Sequence, residues 1–423
     1  MAEIQPLRAL RYDTRSVGSL DAVAAPPYDV IDDDLRAELA GRSPFNVVEV
    51  DLPRADNGGD PYLHAQTTFE AWQQQGIVVR DREPALWVLT QDYTGPDGQA
   101  YTRHGFFARV RVTDYGPGLI RPHERTHPGP KEDRLRLTRA TRANLSPIFS
   151  LFNDPANEAW QALEPATTDD PVGTVTDADG TVNRLWRIDD PSAIERVEGT
   201  LADRELLIAD GHHRYETARV YAQEVGGEGE HSYVLMFLCS LQDSGLTIFP
   251  THRLLTGLKD RPEKYMPLGQ AIKDNFDVEP LDDPRDLQPQ AGGRGVQMGY
   301  MDSHLKQPWR LTLTELSIAE RALPDRSDAY RRLDTAVLEA VLLKGALGMT
   351  DDDIDHKHGL DYSKDFDDAL DAVQSGRVDA AFYMRATPVE HVQEVAEEGE
   401  SMPPKSTYFF PKIPTGLLFN PLE

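Results

Sequence analysis

The sequence is poor in cysteine, in long apolar runs and in positive charge. Its 423 residues include one cysteine, Cys239, so no internal disulfide can form. Cys239 lies in the apolar run of residues 233–241, which predicts a central strand and a buried core thiol rather than a nucleophile. No apolar stretch approaches the roughly 18 residues that a membrane helix needs.

Negative charge dominates the composition. The chain carries 44 Lys and Arg residues against 71 Asp and Glu residues, a formal net charge of -27 at pH 7. Such an excess repels nucleic-acid phosphates and anionic lipids, which disfavours a duplex-binding protein, a nuclease and a membrane-surface protein. The N-terminus lacks a basic and apolar leader. We therefore expect a soluble cytoplasmic protein with a small-molecule substrate and no nucleic-acid or membrane partner; a homodimer is left open.

Length and hydrophobic content predict more than one packed region. The patterns divide the chain into an N-terminal α/β region, a central core and a C-terminal α/β region: residues 1–115, 116–255 and 256–423. Hydrophobic periodicity predicts helices over 61–75, 131–144, 211–224, 335–342 and 366–373, and strands over 85–93, 101–112, 145–152, 205–209, 233–241 and 378–384.

The strongest local signal lies where the short apolar run 205–209 meets the helix predicted after it. A glycine at this joint lets the chain turn sharply and lets a ligand approach the backbone. The start of a helix exposes unpaired amides and a partial positive charge, which suit phosphate. One arginine and two histidines add donors in a chain short of positive charge. The joint is predicted to be a nucleotide-binding loop of Asp210, Gly211, His212, His213 and Arg214.

Two other interpretations of this loop stay open. Asp210 could simply cap the helix, with the histidines facing water. A zinc site at His212 and His213 is weaker, because adjacent side chains point in different directions and no nearby Cys or His spacing completes a tetrahedral set.

A second signal is the basic segment of residues 121–131, which places Glu124 among cations and prolines. A positioned carboxylate is what a general base needs, and the cations could neutralise a phosphoryl group in transfer. A surface loop with locally paired charges fits this composition equally well. The rigid segment 24–31 is interpreted first as a turn packed by Tyr28. The segment 405–408 could reach a site or form a surface edge.

Four motifs together resemble a bacterial and archaeal family of unknown function, numbered 1015, over nearly the whole chain. They occupy residues 26–30, 121–126, 209–215 and 402–408. The Asp-Gly-His-His-Arg loop is also similar to the nucleotide loop of free-serine kinases in the ParB/sulfiredoxin superfamily. The resemblance implies an α+β fold, with a central ParB/sulfiredoxin-like mixed α/β core and N-terminal and C-terminal α/β extensions packed on it.

Pro122-His123-Glu124 resembles the segment that carries the catalytic glutamate of those kinases. The resemblance implies phosphoryl transfer from ATP or ADP to a hydroxyl of a serine-like metabolite, with Mg²⁺ bridging the phosphates. The implied roles are catalysis by Glu124, His123 and His213, phosphate binding by Asp210 to Arg214, a metal contact from Asp210, and substrate binding by Arg121, Arg125, Lys131 and Tyr28.

The resemblance is incomplete, because residues 125–209 separate the two motifs by more than a minimal ParB-like domain needs. The alternative is a nucleotide-binding regulatory module of the ParB type without metabolite turnover. A sulfiredoxin-like reductase is disfavoured, because the loop carries histidines and the thiol of Cys239 lies in a core-like run.

Overall fold

The computed structural model describes residues 2–55, 58–95, 98–123, 128–259, 262–290 and 292–423, without the side chains of 128–131 and 262. Contacts group the chain into two compact units. The first contains residues 1–122, 126–247 and 411–423, and the second contains residues 123–125 and 248–410. The regions predicted over 1–115 and 116–255 both contribute residues to the first unit. The exact boundaries of the three predicted regions stay a prediction.

Strands and helices alternate irregularly along the chain. The strands are β1 (Ile4–Gln5), β2 (Leu10–Tyr12), β3 (Val78–Arg80), β4 (Leu86–Thr94), β5 (Ala100–Arg111), β6 (Ile120–Pro122), β7 (Ala143–Asn144), β8 (Ile148–Phe152), β9 (Gly173–Thr176), β10 (Val182–Ile188), β11 (Leu206–Asp210), β12 (Tyr233–Ser240), β13 (Thr247–Phe249), β14 (His252–Leu255), β15 (Phe276–Pro280), β16 (Gln297–Asp302), β17 (Trp309–Leu313), β18 (Leu360–Ser363), β19 (Ala380–Tyr383), β20 (Tyr408–Phe410) and β21 (Asn420–Pro421).

The helices are α1 (Thr14–Val17), α2 (Asp33–Arg42), α3 (Val48–Asp51), α4 (Pro61–Gln74), α5 (Pro128–Thr141), α6 (Glu158–Leu163), α7 (Pro191–Leu201), α8 (His212–Val225), α9 (Pro262–Asn275), α10 (Ser317–Ala322), α11 (Asp328–Arg331), α12 (Asp334–Val337), α13 (Asp351–Asp355), α14 (Phe366–Gln374) and α15 (Val389–Glu397).

A large mixed sheet forms the centre of the first unit. Its strand order is β6-β11-β8-β12-β5-β4-β10-β9, with β1 beside β5. The pairs β6/β11 and β8/β12 are parallel, and the other neighbours are antiparallel. Strand β12 is central and almost wholly buried, and burial raises the pKa of the Cys239 thiol well above its usual value. The predicted α+β class and the predicted core thiol are both confirmed.

Local signals explain why the helix α4 forms where the periodicity predicts it. The Asp60 side chain accepts a hydrogen bond from the Tyr62 amide at 2.9 Å, and Pro61 occupies the first helical position. Phe69 and Trp72 lie on one face and are buried. Strands β4 and β5 match the strands predicted over 85–93 and 101–112 and pair in antiparallel fashion, while residues 96 and 97 between them lie outside the described residues.

The second unit is built on another sheet, of order β15-β17-β16-β19-β14-β18. Its core includes Phe276, Met298 and Phe382. The helix predicted over 335–342 is instead α12 followed by a π-helical segment, Leu338–Ala346. The wider turn of a π-helix, here closed by a 3.0 Å bond from the Leu347 amide to the Leu342 carbonyl, escapes a pattern search at the α-helical period. In the part of the chain that the structure describes, no helix combines the length and the apolar character needed to cross a membrane.

Candidate functional site

The candidate site lies at the end of β11, inside the large sheet of the first unit. Strand β11 runs between β6 and β8 and ends at Asp210, and α8 begins two residues later at His212. Gly211 is the N-cap residue, with φ 95° and ψ 28° in the left-handed region. Glycine offers no side-chain acceptor, so the cap residue makes no side-chain hydrogen bond to the first turn of α8. The predicted strand, turn and helix are therefore present.

Gly211 also makes room for Arg214. A β-carbon on Gly211 would lie 2.9 Å from Arg214 Nε and 3.0 Å from Arg214 Cζ. The guanidinium of Arg214 therefore folds back over the turn that precedes its own helix. From there its Nη1 donates to the Pro147 carbonyl, and its Nη2 donates to the Asp210 carboxylate.

A Gly211→Ala variant should lose about 1–3 kcal/mol of unfolding free energy, because an alanine resists this positive φ. The new methyl group should also push Arg214 away from Asp210. The matched control is Gly199→Ala inside α7, where a β-carbon meets nothing within 4 Å. The free energy of unfolding of that control should rise by roughly 0.5–1 kcal/mol. Urea unfolding measures both, and equal stability of the two variants would contradict this account of the turn.

Two cations hold the Asp210 carboxylate. Arg214 Nη2 donates to Oδ2 at 2.9 Å, and Lys412 Nζ donates to Oδ1 at 3.2 Å. Burial alone would raise the pKa of Asp210, but the charges of Lys412, Arg214 and His212 hold that pKa well below its usual value. The carboxylate is therefore ionised at neutral pH. Among the described residues, Asp210 is thus in contact with two permanent cations.

Lys412 is a site residue that the sequence analysis missed. It is 202 positions away from Asp210 and belongs to the segment 411–423, which returns to the first unit. Its backbone carbonyl accepts a hydrogen bond from Gln91 Nε2 at 3.0 Å, which fixes the segment beside the sheet. The one available signal was its position four residues after the end of the tail motif 402–408.

Arg214 also lines a small cavity of mixed polar and apolar character. The cavity has a volume of about 40 Å³, and its lining includes Tyr28, Asp51, Arg134, Arg214 and Thr217. The Cζ atoms of Arg134 and Arg214 lie 4.3 Å and 6.0 Å from the Tyr28 ring centroid. Burial raises the pKa of the Tyr28 phenol to about 12. A space of this size holds a few water molecules and not a nucleotide.

Tyr28 was predicted to bind substrate, and the structure brings it to Arg214 as part of this cavity. His212 is buried and His213 is half-buried at the start of α8. Arg121 Nε lies 2.8 Å from Glu205 Oε1, an ion pair at the start of β11. The roles predicted for these residues stay predictions.

His123 belongs to the second unit, where it is buried. Its Nε2 lies 2.8 Å from Thr407 Oγ1, and its carbonyl accepts a bond from the Met402 amide at 2.7 Å. These contacts fix the tail motif 402–408 within that unit, and a catalytic role for His123 stays a prediction. Glu124 and Arg125 lie outside the described residues, as does the side chain of Lys131.

The described residues do not fit a magnesium site. No group of three His, Cys, Asp or Glu side chains among them is arranged to hold a metal ion. Both oxygens of Asp210 already accept from cations, which are unsuitable neighbours for Mg²⁺. The predicted metal contact of Asp210 stays a prediction, and the chemistry proposed below includes no step through a metal.

Fold and site together define an α+β protein in which a large mixed sheet presents a glycine-capped helix start beside two cations and one carboxylate. The chain belongs to the family described as "Protein of unknown function (DUF1015)", whose model matches residues 4–336. This confirms the resemblance found in the motifs. Among curated proteins, none matches the sequence significantly.

Several solved structures are similar at low identity. A conserved hypothetical protein from Pyrococcus furiosus has 15% identity and a TM-score of 0.36, with 70% of this chain and 89% of that chain covered. A free serine kinase variant in complex with ADP has 14% identity and a TM-score of 0.36, with coverage of 69% and 83%. SbnI with a C-terminal truncation, from Staphylococcus aureus, has 11% identity and a TM-score of 0.37, with coverage of 75% and 87%. Likeness of this degree says nothing about what this chain does.

Proposed function

We propose that the chain binds ATP or ADP at the start of α8 and transfers a phosphoryl group to a hydroxyl of a serine-like metabolite. The observation that carries the proposal is the pairing of Asp210 with both Lys412 and Arg214 beside the positive φ of Gly211. Two cations beside a helix start favour an anionic ligand. Such a pair is notable in a chain of net charge -27.

The contacts of these groups suit phosphate in particular. The side chains of Arg214 and Lys412 are 10% and 16% exposed, so salt screens them less than it screens surface charges. Ammonium and guanidinium groups form strong, charge-assisted hydrogen bonds with phosphate oxygens. In this proposal Asp210 is a positioning residue, because its two oxygens keep both cations at the loop before a ligand binds.

The reaction itself follows the resemblance to free-serine kinases. Glu124 takes the proton of the acceptor hydroxyl, the acceptor oxygen bonds to the terminal phosphorus, and the bond to the bridging oxygen breaks. The nucleotide leaves with one phosphate fewer. A ParB/sulfiredoxin-like class for the core is part of the same proposal, as is a cytoplasmic location, where both donor nucleotides are available.

A Lys412→Met variant tests the phosphate site. Its affinity for ADP, measured by calorimetry, should fall roughly 10- to 100-fold, because a hydrogen bond to a charged group contributes about 1.5–3 kcal/mol. Lys273→Met, at an exposed position of α9, is the matched control and should bind ADP as the wild type does. Equal ADP affinity in Lys412→Met and wild type would contradict the assignment of the site.

Turnover distinguishes the kinase from the regulatory module. Wild-type protein is incubated with ATP or ADP and a panel of hydroxy amino acids and sugars, and phosphorylated products are measured. Transfer to a serine-like acceptor supports the kinase. Tight nucleotide binding without transfer to any acceptor of the panel supports the module instead, and absence of nucleotide binding overturns both.

A further inference from the structure

The strand β5 carries a fully buried cation, Arg103. Its Nε donates to Gln91 Oε1 at 3.0 Å, and its Nη2 donates to the Pro411 carbonyl at 2.5 Å. Both acceptors are neutral oxygen atoms. Its third nitrogen, Nη1, is buried and has no hydrogen-bond partner among the residues that the structure describes.

This arrangement is unusual, because a buried charge is normally paired with an opposite charge. Two aromatic rings offset part of the desolvation: Arg103 Cζ lies 4.6 Å from the Phe149 centroid and 5.6 Å from the Phe237 centroid. Burial lowers the pKa of Arg103 to about 10, so the group still carries its charge at pH 7. The carboxylate of Asp243 opposes this shift, but Asp243 pairs with His104 at 2.9 Å.

Two connections direct this charge toward the candidate site. Phe149, whose ring lies under the guanidinium, is the register partner of Asp210 in the neighbouring strand. Pro411, whose carbonyl accepts from Arg103, directly precedes Lys412, which pairs with Asp210. Arg103 is therefore connected to the pair of Lys412 and Asp210 twice, once through the ring of Phe149 and once through the segment that carries Pro411 and Lys412.

We infer that Arg103 supplies a third positive charge to the phosphate site and makes it selective for nucleotides with more than one phosphate. The inference rests on the proposed function and deepens it. Arg103 acts through space, since its nitrogen atoms are covered, and a low-dielectric interior transmits its field with little screening. Its bond to the Pro411 carbonyl also positions the neighbouring Lys412. A diphosphate gains more from this field than a monophosphate, and an uncharged nucleoside gains nothing.

Two substitutions at Arg103 separate the effect of its charge from the effect of its hydrogen bonds. Arg103→Gln keeps amide donors for the neutral acceptors and removes the charge, whereas Arg103→Lys keeps the charge. Calorimetry with ADP, AMP and adenosine on the full chain should show ADP affinity reduced on the order of tenfold or more in Arg103→Gln. The loss for AMP should be smaller, and adenosine affinity should not change. Arg103→Lys should retain the preference for ADP over AMP.

The matched control is Arg109→Gln on the same strand, where the native side chain pairs with Glu230 and contacts Gln5. It should bind all three ligands as the wild type does. Equal losses for ADP and adenosine, or equal losses in Arg103→Gln and Arg103→Lys, would reduce Arg103 to a structural residue and overturn the inference.

A further variant covers a failure of Arg103→Gln to fold. Gln91→Glu is close in shape to the native residue and gives Arg103 a carboxylate partner, so the charge is neutralised without removal of the arginine. Its matched control is Gln91→Met, which loses the same Nε2 bonds to Asn183 Oδ1 and to the Lys412 carbonyl without adding a charge, and ADP affinity is compared between the two variants. Thermal unfolding checks the fold, and ADP affinity should fall on the order of tenfold, with adenosine unaffected. If Gln91→Glu is folded and its ADP affinity is unchanged, the inference about Arg103 is wrong while the proposed function stands. A wild type that binds neither ADP nor AMP overturns the proposed function together with this inference.

Discussion

Replacing Arg134 by methionine should lower the free energy of unfolding by about 3–5 kcal/mol, because it removes one partner of a buried ion pair. Arg134 Nη1 lies 3.1 Å from Asp51 Oδ1, and the two side chains are 7% and 6% exposed. Methionine keeps an apolar stem of similar length but leaves the Asp51 carboxylate buried beside the cavity. Urea denaturation of the wild type and the variant measures the difference.

The pH dependence of this variant follows from Asp51. Burial raises the pKa of Asp51 in the folded protein, against the charges of Arg134 and Arg214, and loss of Arg134 raises it further. A carboxyl whose folded pKa is raised favours the folded state at low pH and loses that contribution as pH rises through the folded pKa. The deficit of Arg134→Met should therefore be smaller at pH 5 than at pH 8.

The double variant Arg134→Met/Asp51→Leu is the control for this prediction. It removes both charges and should recover most of the stability that the single variant loses, because a buried pair can often be replaced by apolar residues of similar volume. A single variant as stable as the double variant, or a deficit that grows at low pH, would contradict the pairing of Arg134 with Asp51.

A Glu124→Gln substitution should lower turnover by roughly 10²- to 10⁴-fold, the usual contribution of a positioned general base. Glu124 lies outside the described residues, so its role comes from the resemblance of Pro122-His123-Glu124 to the kinase segment. Glutamine is close in shape to glutamate and cannot accept the hydroxyl proton. ADP affinity should stay as in the wild type, which calorimetry checks beside the rate of product formation.

Glu195→Gln is a suitable control for Glu124→Gln, because Glu195 is an exposed carboxylate of α7 in the first unit and has no assigned chemistry. Its turnover should stay within a few-fold of the wild type. If Glu124→Gln turns over like the wild type, Glu124 is not the base. If its ADP affinity falls by the same factor as its rate, Glu124 binds the ligand and does not act on the proton.

The parts of the fold that the sequence predicted are those that local physics decides. The joint at Gly211 is predictable because an apolar strand, a glycine and a helix follow each other directly in the chain. Arg214 and Asp210 form a salt bridge and are only four residues apart, so the sequence places both of them in the same predicted loop. Strand β12 was found because a strand buried on both faces is a continuous apolar run.

The missing parts of the site depend on contacts between distant segments. Lys412 is 202 positions from Asp210, and Arg134 is 83 positions from Asp51, distances at which spacing carries no information. Arg103 was missed for another reason: arginine is almost always exposed, so a buried one inside a strand pattern looks like an outward-facing residue. Arg121, one of the residues predicted to bind substrate, forms an ion pair with Glu205, and the sequence alone did not predict this pair.

The return of the segment 411–423 to the first unit has a consequence for biosynthesis. A ribosome that has completed strand β12 has made every strand of the large sheet, yet it must still translate the whole of residues 248–410 before Lys412 emerges. Until then Asp210 has only Arg214 as a cationic neighbour among the pairs described above. Nascent or cleaved chains that stop within residues 248–410 should therefore contain the strands of the sheet and lack the contact between Lys412 and Asp210. If the proposed function holds, weak ADP binding should distinguish such chains from those in which translation has reached this lysine.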